Sequence, residues 1–373
     1  VGDILETLKR YRAEGSRLVG CFPLYGPLEL FHSFGLTPVV LWGLGDGRGY
    51  YPASDAHVQG YACSVARALT GFVIEHGTAL FDALFMYNAC DTLRNLPEIL
   101  SRALDSRGGH IPMFRLHLPA IPLDRAHAAR YLEERLRGLV KALEEFTGRS
   151  FSGDAFMASA TLYERRRSLC RGVMDLRARG GIPSARAARI IELGNHVEVA
   201  EHIAGLEEVV GSCSGLPGDA RGVRVMAGGI QAPPLELLDA MDSSNLVTVA
   251  DDFATMARTH LASVSPRPDP HSYYTELYLH HPPCSTLLPS ADARLGHLVS
   301  RAKASGARGF ILFGEKFCEY EYFEAPQLLA AMEREGVRTL FLEIAPEDRE
   351  NLAQHVTRIE AFAEMLQDGS TGG

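Results

Sequence analysis

Lysine is almost missing from this chain. Only Lys9, Lys141, Lys303 and Lys316 occur in 373 residues, the other basic residues are arginines scattered along the sequence, and the formal net charge is −9 at pH 7. That balance argues against a nucleic-acid surface or an anionic membrane as the main partner, since both need clustered positive charge. Cysteine is sparse as well. The 7 cysteines are odd in number and contain no CxxC pair, so the pattern is that of a reducing cytosol and not of a secreted disulfide scaffold. No apolar run approaches the length of a membrane span. Residues 3–12 read as a polar amphipathic helix rather than a signal peptide, and the expectation is a cytoplasmic protein. Gly43, Gly45, Gly47 and Gly49 invite a dinucleotide-loop reading, but the spacing is not GxGxxG and no helical pattern follows, so the stretch reads as a loop.

What is present is ordinary globular composition, 46% hydrophobic and 22% charged, with enough chain for two cores. The apolar run over 81–87 predicts a buried strand, Asn88 and Ala89 turn the chain, and from Asp91 the period becomes helical through Leu93, Leu96, Ile99 and Leu100. Cys90 therefore falls between the carboxyl end of a strand and the start of a helix. Ligands bind at that edge of open parallel sheets, and a helix N-terminus favours an anion such as a thiolate. The same pattern recurs late in the chain, where a strand over 309–313, a turn over 314–317 and a helix through Gln327 enclose Cys318. Taken singly, each cysteine is more simply a buried apolar residue.

Strand, helix, strand alternation opens the chain (17–22, then Glu29 to Phe34, then 38–42) and predicts a parallel α/β domain. A helical pattern over 57–76 carries Cys63, on its core face or beside Cys90. The strand over 111–117 closes this domain near residue 123. Residues 124–210 read as a helical bridge, whose charge runs, such as Tyr163 to Arg167, suit solvated helix faces. A Gly/Ser/Pro-rich linker from Gly211 then leads into a second domain over 211–373. Pro27-Leu-Glu-Leu and Pro234-Leu-Glu-Leu open equivalent helices in the two halves, which points to an internal duplication. The fold class expected is α/β, with two similar Rossmann-like or flavodoxin-like parallel sheets joined by helices. Residues 266–289 are rich in Pro and His and read as a loop near a surface or a channel; His280, His281 and Cys284 do not match zinc spacing.

Six separated segments, in order along nearly the whole chain, resemble one family. They are Gly20 to His32, Gly60-Tyr-Ala-Cys63-Ser, Cys90-Asp-Thr-Leu-Arg, Val249-Ala-Asp-Asp, Lys316-Phe-Cys318-Glu, and Thr357 to Leu366. The family is that of the 2-hydroxyacyl-CoA dehydratases and the related benzoyl-CoA reductases. The resemblance implies a subunit of a heterodimer with a similar second subunit. It also implies a 4Fe-4S cluster on Cys63, Cys90 and Cys318, with one iron left open. Electrons would come from a separate ATP-hydrolysing iron–sulfur activator, which agrees with the lack of a GxxxxGK[ST] loop here. The implied reaction is loss of water from a 2-hydroxyacyl-CoA, in which one electron on the thioester carbonyl gives a ketyl that expels the α-hydroxyl and acidifies the β-hydrogen. Ring reduction of an aromatic acyl-CoA, or an electron-relay role without an acyl site, are the alternatives. Glu29 and His32 lie where a base could sit. The family's second acid in this segment is Leu28 here, an additional cysteine is Gly26, and the cysteines of a double cubane near Asp251 and Asp252 are missing, so a single cubane is implied.

Overall fold

The computed structural model describes residues 2–44, 52–119, 121–213, 221–284, 286–287, 291–345 and 349–368. The glycine-rich stretch from Gly45 and most of the Gly/Ser/Pro linker lie outside the described residues.

An N-terminal helix, α1 (Gly2–Ala13), leads into β1 (Leu18–Phe22), α2 (Leu28–Ser33) and β2 (Thr37–Val40). A short turn of helix, α3 (Pro52–Asp55), precedes α4 (Ser64–Leu80), β3 (Ala83–Tyr87), α5 (Asp91–Asp105) and β4 (Met113–Leu116). The four strands are all parallel in the order β2-β1-β3-β4. Every residue of β1 and β3 is buried. Helices cover both faces of such a sheet, which is why these strands are continuous apolar runs and not alternating ones. Each large side chain so buried stabilises the fold by about 1.5–3 kcal/mol.

Four helices follow: α6 (Ala126–Thr147), α7 (Gly153–Ala178), α8 (Ser184–Leu193) and α9 (Val199–Cys213). Gly148 ends α6 at φ +70°, a left-handed conformation that suits glycine. Ser152 starts α7 by accepting from the Ala155 N–H at 3.3 Å. The second half repeats the first: β5 (Val223–Gly229), α10 (Leu235–Ser243), β6 (Leu246–Phe253), α11 (Pro270–Leu279), α12 (Ala291–Ala304), β7 (Gly309–Glu315), α13 (Glu319–Arg334), β8 (Arg338–Ile344) and α14 (Leu352–Asp368). Its strands are again all parallel, in the order β6-β5-β7-β8. The expected α/β class with two similar parallel sheets is therefore the observed architecture. Among the described residues no helix is long and apolar enough to cross a membrane.

Three expectations change. The helix expected over 57–76 starts only at Ser64, and Cys63 stands at its N-cap with φ −59° and ψ 153°; Gly60, a poor helix former, sits in the irregular turn before it. The loop expected over 266–289 contains α11, whose start is marked by Asp269 accepting from the Ser272 N–H at 2.8 Å and by Pro270 at the first helical position. The charge run at Tyr163 to Arg167 is a solvated face only in part: Arg165 is exposed. Arg166 and Arg167 are buried, because α7 packs on α2, on α9 and on β6 at once. Arg167 Nη1 donates to Glu29 Oε1 at 2.7 Å, and Arg166 Nη1 donates to the Gly194 carbonyl at 3.2 Å.

Candidate functional site

Three helix starts meet at one cavity. Cys63 is the N-cap residue of α4, Cys90 that of α5 and Cys318 that of α13, and all three line a cavity of about 470 Å³. Sequence dictates two of these placements in the same way. A buried strand ends, a tight turn follows, and the helix begins on the next residue. At Cys90 the turn is braced by Asn88, whose side chain donates to the Leu118 carbonyl at 3.2 Å and accepts from the Leu118 N–H at 2.8 Å. At Cys318 the turn passes through Phe317 at φ +66°.

Burial dominates the electrostatics of these thiols. It pushes Cys63 up to about 12, helped by the carboxylate of Glu315 and by Cys90. It also raises Cys90, and it raises Cys318 well above the ordinary thiol value, helped by Glu321 and Cys63. The helix-start N–H groups of Val65 and Ala66, of Thr92 and Leu93, and of Glu321 pull the other way, although none of the three sulfurs receives a capping hydrogen bond. The sulfurs are thus close enough for the charge of one to weigh on the next. They are set up to become thiolates only around a cationic partner that offsets their desolvation.

Among the described residues no three His, Cys, Asp or Glu side chains converge tightly enough for a single metal ion. A cubane is much wider than one ion, so its ligating sulfurs stand farther apart, around a cavity and not around a point. Three cysteines on one cavity, each at the positive end of a helix, fit the chemistry of such a cluster. Glu315 adjoins them. Its Oε1 accepts from the Ser64 N–H at 3.0 Å and from the Ser64 hydroxyl at 2.5 Å, which ties the end of β7 to the start of α4 beside Cys63. Glu315 and Trp42 line the cavity and are not marked by any sequence motif; both stand at carboxyl ends of strands, the position that marks the cysteines.

Glu29 and His32 do not line this cavity. Glu29, buried, has Oε1 accepting from Arg167 Nη1 at 2.7 Å and from the Tyr273 hydroxyl at 3.1 Å, while Oε2 accepts from the Tyr274 hydroxyl at 2.9 Å. It borders a separate small cavity of about 50 Å³ that also touches Tyr25 and Tyr278. His32 has Nδ1 2.7 Å from the Ser159 hydroxyl and Nε2 3.7 Å from Glu198. Both residues tie α2 to the helices that follow.

Cys284 is not among the residues that line this cavity. Arg258 Nη1 stands 3.4 Å from its sulfur, the Thr286 hydroxyl 3.1 Å and the Tyr25 hydroxyl 3.6 Å. Burial raises this thiol, but Arg258 and Arg294 outweigh it and the net direction is down. His281 has its Nδ1 2.7 Å from the Pro282 carbonyl.

Comparison with known proteins agrees with the six segments. The family model described as 2-hydroxyglutaryl-CoA dehydratase, D-component, matches residues 23–366. The chain is 24% identical over 378 residues to the (R)-phenyllactyl-CoA dehydratase beta subunit of Clostridium sporogenes, covering 98% of this chain and 97% of that one. It is 25% identical to the beta subunit of the (R)-2-hydroxyglutaryl-CoA dehydratase of Acidaminococcus fermentans, covering 96% and 95%. It is 27% identical to one of the subunits of the benzoyl-CoA reductase of Thauera aromatica, covering 84% and 81%. The relatives are named as subunits, so each works within a larger enzyme. With the match spanning three of the four strands of the first sheet, the whole of the second, and the positions of all three cavity cysteines, the chain belongs to the 2-hydroxyglutaryl-CoA dehydratase D-component family.

Proposed function

We propose that this chain is an iron–sulfur subunit of a 2-hydroxyacyl-CoA dehydratase-type lyase, acting in the radical elimination of water from a 2-hydroxyacyl-CoA. The observation that carries this reading is the convergence of Cys63, Cys90 and Cys318, from three helix starts, on one cavity. These three residues would hold a 4Fe-4S cluster. When bound, such a cluster supplies a single low-potential electron and, at an iron without a protein ligand, a Lewis-acid contact.

The chain's own residues prepare the place. The helix-start N–H groups beside each sulfur favour the thiolate. Apolar side chains such as Val65 and Leu96 line the cavity, and low-polarity walls strengthen the charge interactions beside them. The Ser64–Glu315 hydrogen bonds keep the Cys63 turn against the second sheet. The partners of this reading are a similar second subunit, an ATP-hydrolysing iron–sulfur activator and the acyl-CoA substrate. Reduction of an aromatic ring is the second reading, favoured by the likeness to the benzoyl-CoA reductase of Thauera aromatica; product analysis with each class of acyl-CoA separates the two.

The test is an anaerobic preparation assayed for iron, sulfide and low-temperature EPR. Cys63→Ala, Cys90→Ala and Cys318→Ala should each lose the cluster, whereas Cys170→Ala, buried in the second core, should keep it. A parent protein without iron, or full cluster content in any of the three variants, overturns the reading.

A further inference from the structure

We propose that the small cavity beside Arg166 binds one small monovalent anion, of the size of a halide or nitrate, and that the Arg166 guanidinium is its ligand. This cavity shares no lining residue with that of the three cysteines, so the proposal stands or falls apart from the iron–sulfur reading.

Helix α7 carries five arginines, and four of them pair with carboxylates. Arg165 meets Glu207, Arg167 meets Glu29 and Glu164, Arg171 meets Glu164, and Arg177 meets Asp251. Arg166 alone forms no ion pair among the described residues, although it is only 7% exposed. A buried charge without a partner is strongly disfavoured. Most of its donors are unused as well. A guanidinium presents several N–H groups and no acceptor. Nη1 donates to the Gly194 carbonyl at 3.2 Å, and the Tyr163 ring, with its centroid 4.7 Å from the guanidinium carbon, lies against the flat face and not along the N–H directions. Nε is enclosed without an acceptor; Nη2 makes no hydrogen bond either and is not enclosed in that way. The approach is therefore through Nη2. Native structures seldom leave buried donors unpaired, and a bound ion is a standard explanation when they do.

Charge sets the valence of that ion. Arg166, Arg167 and Arg171 bring three positive charges to this seam, and the carboxylates bonded to them, Glu29 and Glu164, bring two negative ones, so one positive charge is left over. His202 and His260 add none, because burial and, after it, the charge of Arg166 lower the pKa of both. Glu29 lines the cavity too, but its oxygens are taken by Arg167, Tyr273 and Tyr274. A monoanion at Arg166 neutralises the seam, whereas a dianion would face Glu29 with a charge to spare. Volume sets the size. The cavity of about 50 Å³ exceeds the ~10–15 Å³ that one water needs and is far below a cofactor site. Tyr163 and Asn195 line it with groups that can donate, and Leu28, Val40 and Leu277 line it with apolar ones. Asn195 is held there by its own carbonyl, which accepts from the Val40 N–H at 2.7 Å. Such walls favour a weakly hydrated anion over sulfate or phosphate.

The lining joins the end of β2, helix α7 and helix α11, so an anion there binds the folded chain and not the unfolded one, and it stabilises by mass action. The experiment is thermal unfolding of the full chain, prepared anaerobically, in sodium chloride, bromide or nitrate against sodium gluconate, an anion too large for the cavity, at constant ionic strength. The melting temperature should rise saturably, by about 2 °C at ten times the dissociation constant. Arg166→Met should abolish the saturable rise, and Arg165→Met, a change on the exposed face of the same helix, should keep it. A strictly linear or absent response in the parent, or a saturable rise retained in a folded Arg166→Met protein, overturns the proposal. Crystals of the parent grown in bromide decide the matter without a variant. An anomalous peak within hydrogen-bond reach of Arg166 Nη2 is expected, and water alone at that place refutes the site. A bromide peak without saturable stabilisation is binding at crystal concentration only and refutes it equally.

Discussion

Glu29→Gln is the substitution that separates a structural clamp from a catalytic acid. Glu29 sits on α2, Arg167 on α7, and Tyr273 and Tyr274 on α11, so three hydrogen bonds to one carboxylate join the first half of the chain, the helical segment and the second half. Both charged partners are buried, with side-chain exposures of 3% and 6%. Breaking a buried ion pair from one side typically costs about 3–5 kcal/mol, because the remaining charge is left without compensation. Here Arg167 keeps a second carboxylate, since its Nε donates to Glu164 Oε2 at 3.0 Å, which favours the lower end, about 3 kcal/mol. The amide also replaces one acceptor oxygen with a donor, facing either an arginine or a tyrosine hydroxyl that already donates. With an unfolding entropy of about 2.1 cal/mol/K per residue, the whole chain melting as one unit would lose about 4 °C. The assay is thermal and urea unfolding of the parent, Glu29→Gln, Arg167→Met and the double variant. The double variant should recover much of the loss, since removing both charges removes the uncompensated one. A Glu29→Gln protein with parental stability and abolished turnover would refute the clamp and return Glu29 to chemistry.

Two further perturbations follow from buried charge. Asp252 has Oδ2 accepting from Arg258 Nε at 3.0 Å, Arg258 Nη2 at 2.7 Å and Arg294 Nη2 at 2.8 Å. Burial opposes its ionisation, but the two guanidinium groups prevail and hold it down at about 2. Asp252→Asn should therefore cost about 3–5 kcal/mol at neutral pH, read as a lower urea midpoint with an unchanged slope; a loss below about 1 kcal/mol contradicts the network. His196 is kept neutral by burial, its pKa lowered to about 4. On acidification the unfolded chain takes up the proton first, so the contribution of His196 is complete above about pH 6.5 and is lost progressively down to pH 4. The full loss is about 3 kcal/mol. His196→Gln, which retains a donor toward the Trp42 carbonyl, should flatten the acid limb of the stability curve by that amount, and parallel curves for the two proteins would exclude this assignment.

The sheets were legible in the sequence because parallel strands covered on both faces are plain apolar runs, as β1 and β3 are throughout, β7 is as far as Gly314, and β5 is apart from the exposed Arg224. Cys90 and Cys318 were legible for the same reason, since the end of an apolar run and the onset of helical period bracket each of them. Cys63 was harder to place. Periodicity alone extended its helix too far back, and only the extended backbone at Cys63 shows it to be a cap. The arginines of α7 were not legible at all. Charge in a helix ordinarily signals solvent, and nothing local announces that Glu29 and Tyr273, far away along the chain, close over Arg167. A buried ion-pair network leaves no periodic trace; its members are recognised only once topology brings them together.

The shared topology of the two halves explains why the site takes the form it does. In both sheets the first strand of the half lies between the second and the third, so equivalent segments of the two halves reach one cavity. Phe22 ends β1, and Ile230 directly follows β5; Cys90 precedes α5 after the third strand of its sheet, and Cys318 precedes α13 after the third strand of the other. The segments leading into the helices before those third strands also pair, with Cys63 ahead of α4 and Thr286 ahead of α12. Four topologically equivalent segments thus bring three thiols and one hydroxyl to the cavity. A three-cysteine set needs no dedicated binding loop under this arrangement; it follows from which of the four segments carries cysteine. It also explains why no short cysteine motif marks the site, since each cysteine arrives on a different helix start.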